Sequence, residues 1–225
     1  MKDNGARVGA LKSGHRFISK KGNGMNFETV TKELERRGYR VSTFETKEEA
    51  AEYLDRAIDG VSVGFGGSVT LQELGICGRL KTHNRVLWHW AVPEGVDPAK
   101  LRVEAAHAEV YLSSVNGLAE TGEIINIDGA CNRISSIVYG HSKVYLVIGK
   151  NKLAKNYDAA LFRARNIAAP KNAKRLGRKT PCAVKGERCY DCKSPERICR
   201  SLSVLWEKPM GSDYEVVLIN EDLGY

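Results

Sequence analysis

Val61-Ser62-Val63-Gly64-Phe65-Gly66-Gly67-Ser68-Val69-Thr70-Leu71-Gln72-Glu73-Leu74-Gly75 decides the fold. The apolar run 61–65 reads as a short strand. Leu71, Leu74 and Leu80 follow at roughly helical spacing, so the segment is strand, glycine turn, helix. Glycine at such a turn lets the backbone approach a ligand, because no Cβ stands in the way. The helix start offers free N–H groups and the positive end of a dipole, which suit an anion. Ser68 and Thr70 add hydroxyl donors. No Gly-Lys-Ser/Thr follows, so the turn is not a P-loop, and the dinucleotide spacing is absent too. On this stretch alone, a tight turn with Ser68 capping the helix is an equal reading.

The alternation extends in both directions. Upstream, Asn26 caps a helix carrying Phe27, Val30 and Leu34, with Gly38 as its stop. Residues 39–44 alternate as a strand. Thr46-Lys47-Glu48-Glu49 is a capping box, and the helix it opens places Ala50, Tyr53, Leu54, Ala57 and Ile58 on one face. Downstream, 86–90, 108–113, 123–127, 144–148, 202–206 and 214–219 read as strands. Asp97-Pro98 starts a helix with proline in its first turn. Residues 155–167 read as a helix ended by Ala168-Ala169-Pro170. On the strand 86–90, His89 points away from the face of Trp88 and Trp90. This order predicts an α/β fold, a mostly parallel sheet flanked by helices. Residues 1–25, rich in glycine and poor in apolar side chains, form an N-terminal arm. Residues 26–225 form one domain that includes a Cys-rich segment, 178–202.

The chain has 225 residues and is 42% hydrophobic, enough for a real core. No apolar run approaches the ~20 residues that span a bilayer. The start, Met1-Lys2-Asp3-Asn4-Gly5, lacks the apolar stretch of a signal peptide. The expectation is a soluble cytoplasmic protein, whose six cysteines are thiols or metal ligands rather than disulfides. The net charge of +8 is concentrated: residues 163–200 hold twelve Lys/Arg against three acids, +9, which leaves −1 for the rest. Nucleic acid is an unfavoured partner for this segment, because Tyr190 is its only aromatic residue and stacking is poorly served.

Cys182, Cys189, Cys192 and Cys199 are spaced C-x6-C-x2-C-x6-C. The C-x2-C pair can chelate from a tight turn and the outer thiols complete four ligands. Both a four-thiolate zinc site and a four-cysteine iron–sulfur cluster fit. Either carries about −2 overall, which Lys185, Arg188, Lys193, Arg197 and Arg200 would stabilise. Zinc ribbons usually show two C-x2-C pairs and only one is present, so iron–sulfur is favoured. Cys77 and Cys131 stand alone and read as buried small thiols. The five histidines are dispersed and are assigned no role.

In open α/β sheets ligands sit beyond the carboxyl ends of strands. The glycine loop lies at one such end. The clusters 116–122, 128–133 and 149–152 lie at others, which makes a shared cleft the expected site.

These segments together resemble the LUD family, the lactate-utilisation proteins. Gly66-Gly67-Ser68-Val69-Thr70-Leu71-Gln72-Glu73-Leu74-Gly75 is similar to the family's GGSxTLxExG. Glu120-Thr121-Gly122-Glu123-Ile124-Ile125-Asn126-Ile127-Asp128-Gly129, followed by Asn132-Arg133, also resembles a family segment. Gly149-Lys150-Asn151-Lys152 matches G-x-N-K, and Ala168-Ala169-Pro170-Lys171-Asn172-Ala173 matches AAPxNA. Glu221-Asp222-Leu223-Gly224-Tyr225 resembles the closing EDLG plus aromatic. The resemblance implies a fold like that of ribose-5-phosphate isomerase, the CoA-transferases and 5-formyltetrahydrofolate cyclo-ligase. It also implies a bacterial cytoplasmic role in oxidising lactate to pyruvate, with protein partners from such a system. It specifies no reaction, since fold analogy cannot supply one.

The expected function is therefore binding of a small anionic metabolite or cofactor, with a metal centre nearby. Gly66, Gly67, Ser68 and Thr70 cradle the anion. Asn126, Asp128, Asn132 and Arg133 line the opposite wall, Arg133 pairing a carboxylate or phosphate. Glu73, Asn151 and Lys152 complete the binding set. Glu120 is the candidate general base, from its position after a strand. The alternative is a non-enzymatic assembly or regulatory subunit with a structural zinc module, its basic face docking an acidic partner.

Overall fold

The computed structural model describes residues 27–225; the arm 1–25 and the Asn26 cap lie outside the described residues. The strands are β1 (Arg40–Phe44), β2 (Ser62–Phe65), β3 (Arg85–Leu87), β4 (Val110–Ser113), β5 (Gly117–Ala119), β6 (Ile124–Asp128), β7 (Lys143–Gly149), β8 (Leu153–Ala154), β9 (Ser201–Leu205) and β10 (Asp213–Ile219). Six form an all-parallel sheet in the order β1-β10-β7-β4-β2-β3. Its centre is β7 and β10, paired along their whole length from Asp213↔Lys143 to Ile219↔Gly149.

Alternate residues of these central strands enter opposite layers. Val147 and Val217 join the layer built by Leu54, Leu71, Ile76 and Leu80. Leu146, Ile148, Val216 and Leu218 join the layer of Val30, Leu34, Leu118 and Ile124. That two-sided burial is why 144–148 and 214–219 read as near-continuous apolar runs.

The helices are α1 (Glu28–Arg36), α2 (Lys47–Ala57), α3 (Val69–Leu74), α4 (Ile76–Leu80), α5 (Pro98–Ala105), α6 (Asn132–Val138), α7 (Tyr157–Arg163), α8 (Ala169–Arg175) and α9 (Pro181–Lys185). The Thr46/Glu49 capping box is formed, and the Asp97 side chain accepts from Ala99 N–H. Leu71, Leu74 and Leu80 are all buried, but on two short helices, because Gly75 breaks the helix with φ +68°.

A second sheet, β8-β5-β6-β9, is mostly antiparallel. The turn Glu120-Thr121-Gly122-Glu123 between β5 and β6 is too short for a parallel crossover, which needs a dozen or more residues, so the chain folds back as a hairpin.

Two elements differ from expectation. The strand 86–90 stops at Leu87, where its pairing with Gly64 ends. Trp88, His89 and Trp90 lie beyond the strand end; Trp88 and Trp90 stack at 5.7 Å, and the His89 ring meets Trp90 edge-on at 6.2 Å. The helix beginning near Tyr157 does not end at Ala168-Ala169-Pro170. It widens into a π turn over Ala164–Ala168 and runs on as α8. Proline lacks an N–H and crowds the carbonyl four residues back, and a wider turn accommodates both. No helix among the described residues is long and apolar enough to cross a membrane.

Candidate functional site

The glycine loop follows β2, and packing explains its glycines. A Cβ on Gly66 would stand 2.9 Å from Ser113 Oγ and 3.1 Å from Arg133 Cγ. One on Gly67 would stand 3.1 Å from the Trp90 ring. The loop is thus a floor on which Arg133 and Trp90 lie. Ser68 is extended, and its Oγ accepts from Leu71 N at 3.3 Å. That hydroxyl caps α3 and does not line the cleft beside the loop.

The cleft has a volume of about 470 Å³. Gly67, His89 and Trp90 form one side, and Asp128, Asn132 and Arg133 a second. Asn172 and Arg175 of α8, with Arg197, Ile198 and Arg200 of the cysteine segment, close it. Arg102, Arg133, Arg175, Arg178, Arg197 and Arg200 face Asp128 and Glu196, six cations against two acids. Asp128 is already committed. Its carboxylate accepts from the N–H groups of Gly129 at 2.7 Å, Arg133 at 2.9 Å and Ile134 at 3.3 Å, and so caps α6.

Arg133 donates Nη2 to Asn126 Oδ1 at 3.0 Å. Its own Nε, Asn126 Nδ2 and His89 Nδ1 are buried with no hydrogen-bond partner. Buried polar atoms are ordinarily satisfied, and orphaned ones in a cleft wall mark places where a ligand can pair. Burial, then Arg102, lowers the His89 pKa, which keeps its ring neutral. The Arg175 guanidinium lies 4.6 Å over the Trp90 ring, which stacks on Trp88, and Trp88 in turn packs against Phe65.

The expected binding set divides. Gly67, Asp128, Asn132 and Arg133 line the cleft, and Asn126 touches it through Arg133. Thr70, Glu73, Asn151 and Lys152 form a separate polar knot. Lys152 Nζ donates to Thr70 Oγ1 at 2.6 Å and Ser114 Oγ at 2.8 Å. Thr70 donates to the Leu223 carbonyl, and Glu73 accepts from Gly224 N–H at 2.7 Å. Asn151 accepts from Leu223 N–H and donates to the Gly224 carbonyl. The knot clasps residues 223–224 over Lys152, which is 3% exposed. Burial, then Arg163 and Arg133, holds the Lys152 pKa well below its usual value. Glu120 sits in the β5–β6 turn, at the opposite end of β6 from Asp128, and does not line the cleft. The two ends of a strand lie apart, with Glu120 near the turn end of β6 and Asp128 at the other.

The cysteine segment forms the last wall. All six cysteines are free thiols. Cys182, Cys189, Cys192 and Cys199 line one small cavity of about 20 Å³, backed by Ala169, Pro170 and Ala173 of α8. Cys182 lies on α9. Asp191, with φ +45°, turns the C-x2-C loop so that its N–H donates to Cys189 Sγ at 3.3 Å. Arg197 donates Nη2 to Cys199 Sγ at 3.4 Å, Nη1 to the Cys192 carbonyl and Nε to the Cys199 carbonyl. The Thr180 hydroxyl is 3.3 Å from Cys182 Sγ. Among the described residues, no three or more His, Cys, Asp or Glu side chains are gathered to hold a single metal ion. Of the cavity's sulfurs, those of Cys189 and Cys199 each receive an N–H donor. Cys77 is buried as expected; Cys131 is exposed, held at φ +63° where the chain turns into α6. Gly129 lets the segment close on the cleft: a Cβ there would stand 2.9 Å from the Ile198 carbonyl.

The sequence reading missed the cleft arginines outside 128–133. Arg175, Arg178, Arg197 and Arg200 lie in the +9 segment, whose charge was assigned to the thiolates or to docking an acidic partner; Arg102, outside it, carried no such signal.

Comparison with known proteins adds the following. The LUD domain family model matches residues 27–219. No curated protein matches the chain. A crystal structure of a DUF162 family protein from Deinococcus radiodurans is similar at 12% identity and a TM-score of 0.48, covering 87% of this chain and 99% of that one.

Proposed function

The chain belongs to the LUD-domain family, and on that premise we propose that it serves organic-acid utilisation by binding a small anionic metabolite or cofactor beside a four-cysteine iron–sulfur centre. The observation that carries this reading is the arginine-walled cleft, whose last wall is the cysteine segment. A carboxylate or phosphate would pair with Arg133, whose Nε has no partner and whose Nη2 is held by Asn126 Oδ1. Arg175 and Arg197 would supply charge from the other side. Neutral His89 offers a ring nitrogen at the same wall.

Cys182, Cys189, Cys192 and Cys199 would hold the centre, which supplies one-electron chemistry when bound. A tetrahedral zinc site, with Zn–S of about 2.3 Å, needs its sulfurs ~3.8 Å apart. Zinc ribbons usually show two C-x2-C pairs and this segment has one, so the structural-zinc alternative is the less favoured reading. The donors from Asp191 N–H and Arg197 would stabilise negative sulfur.

Calorimetric titration with lactate, pyruvate and inorganic phosphate tests the cleft. Arg133→Ala should weaken the anion that binds by about tenfold to a hundredfold, the worth of a charge-assisted bond. Unchanged affinity for every anion in Arg133→Ala and Arg175→Ala would overturn the proposal.

A further inference from the structure

The cleft and the cysteine cavity share a wall one side chain thick. Arg197, Ile198 and Ala169 line both. Of these, only Arg197 is charged. Three of its N–H donors are spent on the cysteine side, on Cys199 Sγ and the Cys192 and Cys199 carbonyls. A guanidinium has five such donors, so two remain. Arg165 provides the contrast. It also lines the cysteine cavity and approaches Cys189 Sγ at 4.0 Å, but it does not line the cleft.

We infer that Arg197 couples the two sites, so that anion binding in the cleft and the charge of the thiolate centre oppose one another. The inference rests on the function proposed above and adds regulation to it. An anion against Arg197 offsets the positive charge that steadies the thiolates, which makes adding an electron to the centre harder. By linkage, an electron added to the centre, here from a chemical reductant, weakens the anion by the same factor. Nothing covalent changes; one guanidinium is shared between two negative groups.

The experiment uses the full chain, purified and handled without oxygen, with inorganic phosphate as the probe. Phosphate affinity is measured calorimetrically on the oxidised and reduced protein. The reduction potential is measured by electron paramagnetic resonance with and without saturating phosphate. The expected result is about tenfold weaker phosphate binding after reduction, equivalent to a potential lowered by about 59 mV for one electron. Arg165→Gln should keep that phosphate dependence, even if it moves the potential itself. Arg197→Gln should abolish it while phosphate still binds through Arg133. If Arg197→Gln fails to retain the centre, Arg197→Lys should retain it with the coupling reduced. Phosphate that binds without moving the potential overturns the coupling and leaves the proposed function standing. Absence of any redox-active centre overturns the proposed function and the coupling together, and absence of phosphate binding overturns the coupling.

Discussion

The parallel sheet and the cysteine segment sit side by side and are ordered by different means. In the sheet, Leu146, Val147, Val216 and Val217 are 0% exposed, and order comes from removing apolar surface from water. In the cysteine segment, Val184 is 73% exposed and only Thr180 and Ala183 are buried. Its shape is held by Arg197 on two carbonyls, the Asp191 turn and the contact of Ile198 with Gly129. A region so poor in burial needs another source of order, and ligation by four thiolates is one. The neighbouring loops thus differ in what would undo them.

Leu146→Ala should have the largest effect on stability. It empties space in the centre of the sheet and should cost about 2–5 kcal/mol by denaturant unfolding. Protein that remains folded should keep the occupancy of the cysteine site unchanged. Gly129→Ala should do the reverse. Its Cβ would press on the Ile198 carbonyl and cost about 1–3 kcal/mol. The loss should appear first as weaker retention of the proposed metal centre, with the far-ultraviolet circular dichroism of the sheet intact. Equal loss of both signals in either variant would erase the distinction between the two regions.

The smallest effect concerns Lys152, which joins the sheet to the C-terminal clasp. Burial lowers its pKa, so the unfolded chain holds the proton more tightly than the folded one. Stability should rise with pH from that lowered value up to the free-lysine value near 10.4. Lys152→Met should flatten the rise in urea unfolding measured from pH 7 to 10. An identical slope in the variant would mean that the lysine is not the source.

Most of the sheet was legible in the sequence because burial leaves a periodic trace. The runs 144–148 and 214–219, the Thr46 capping box and the Asp97-Pro98 start all report local physics. The strand end at Leu87 did not, since it depends on where pairing with β2 stops. Nor did the helix through Pro170, which a π turn rescues. The grouping in the candidate cleft was legible where residues are near in sequence, as for Asp128, Asn132 and Arg133, which all line it. Thr70 and Lys152 were misgrouped with the cleft because their partners, Ser114, Leu223 and Gly224, are distant in the chain. The roles of Trp90, Arg175 and Arg197 come from packing across elements, which spacing cannot reveal.

The most direct test is metal and sulfide analysis of anaerobically purified protein, read with its visible absorption. A brown protein with about four irons and four sulfides per chain, lost in Cys192→Ser, is the predicted result. A colourless protein with one zinc, or with no metal at all, would contradict an iron–sulfur centre beside the arginine cleft.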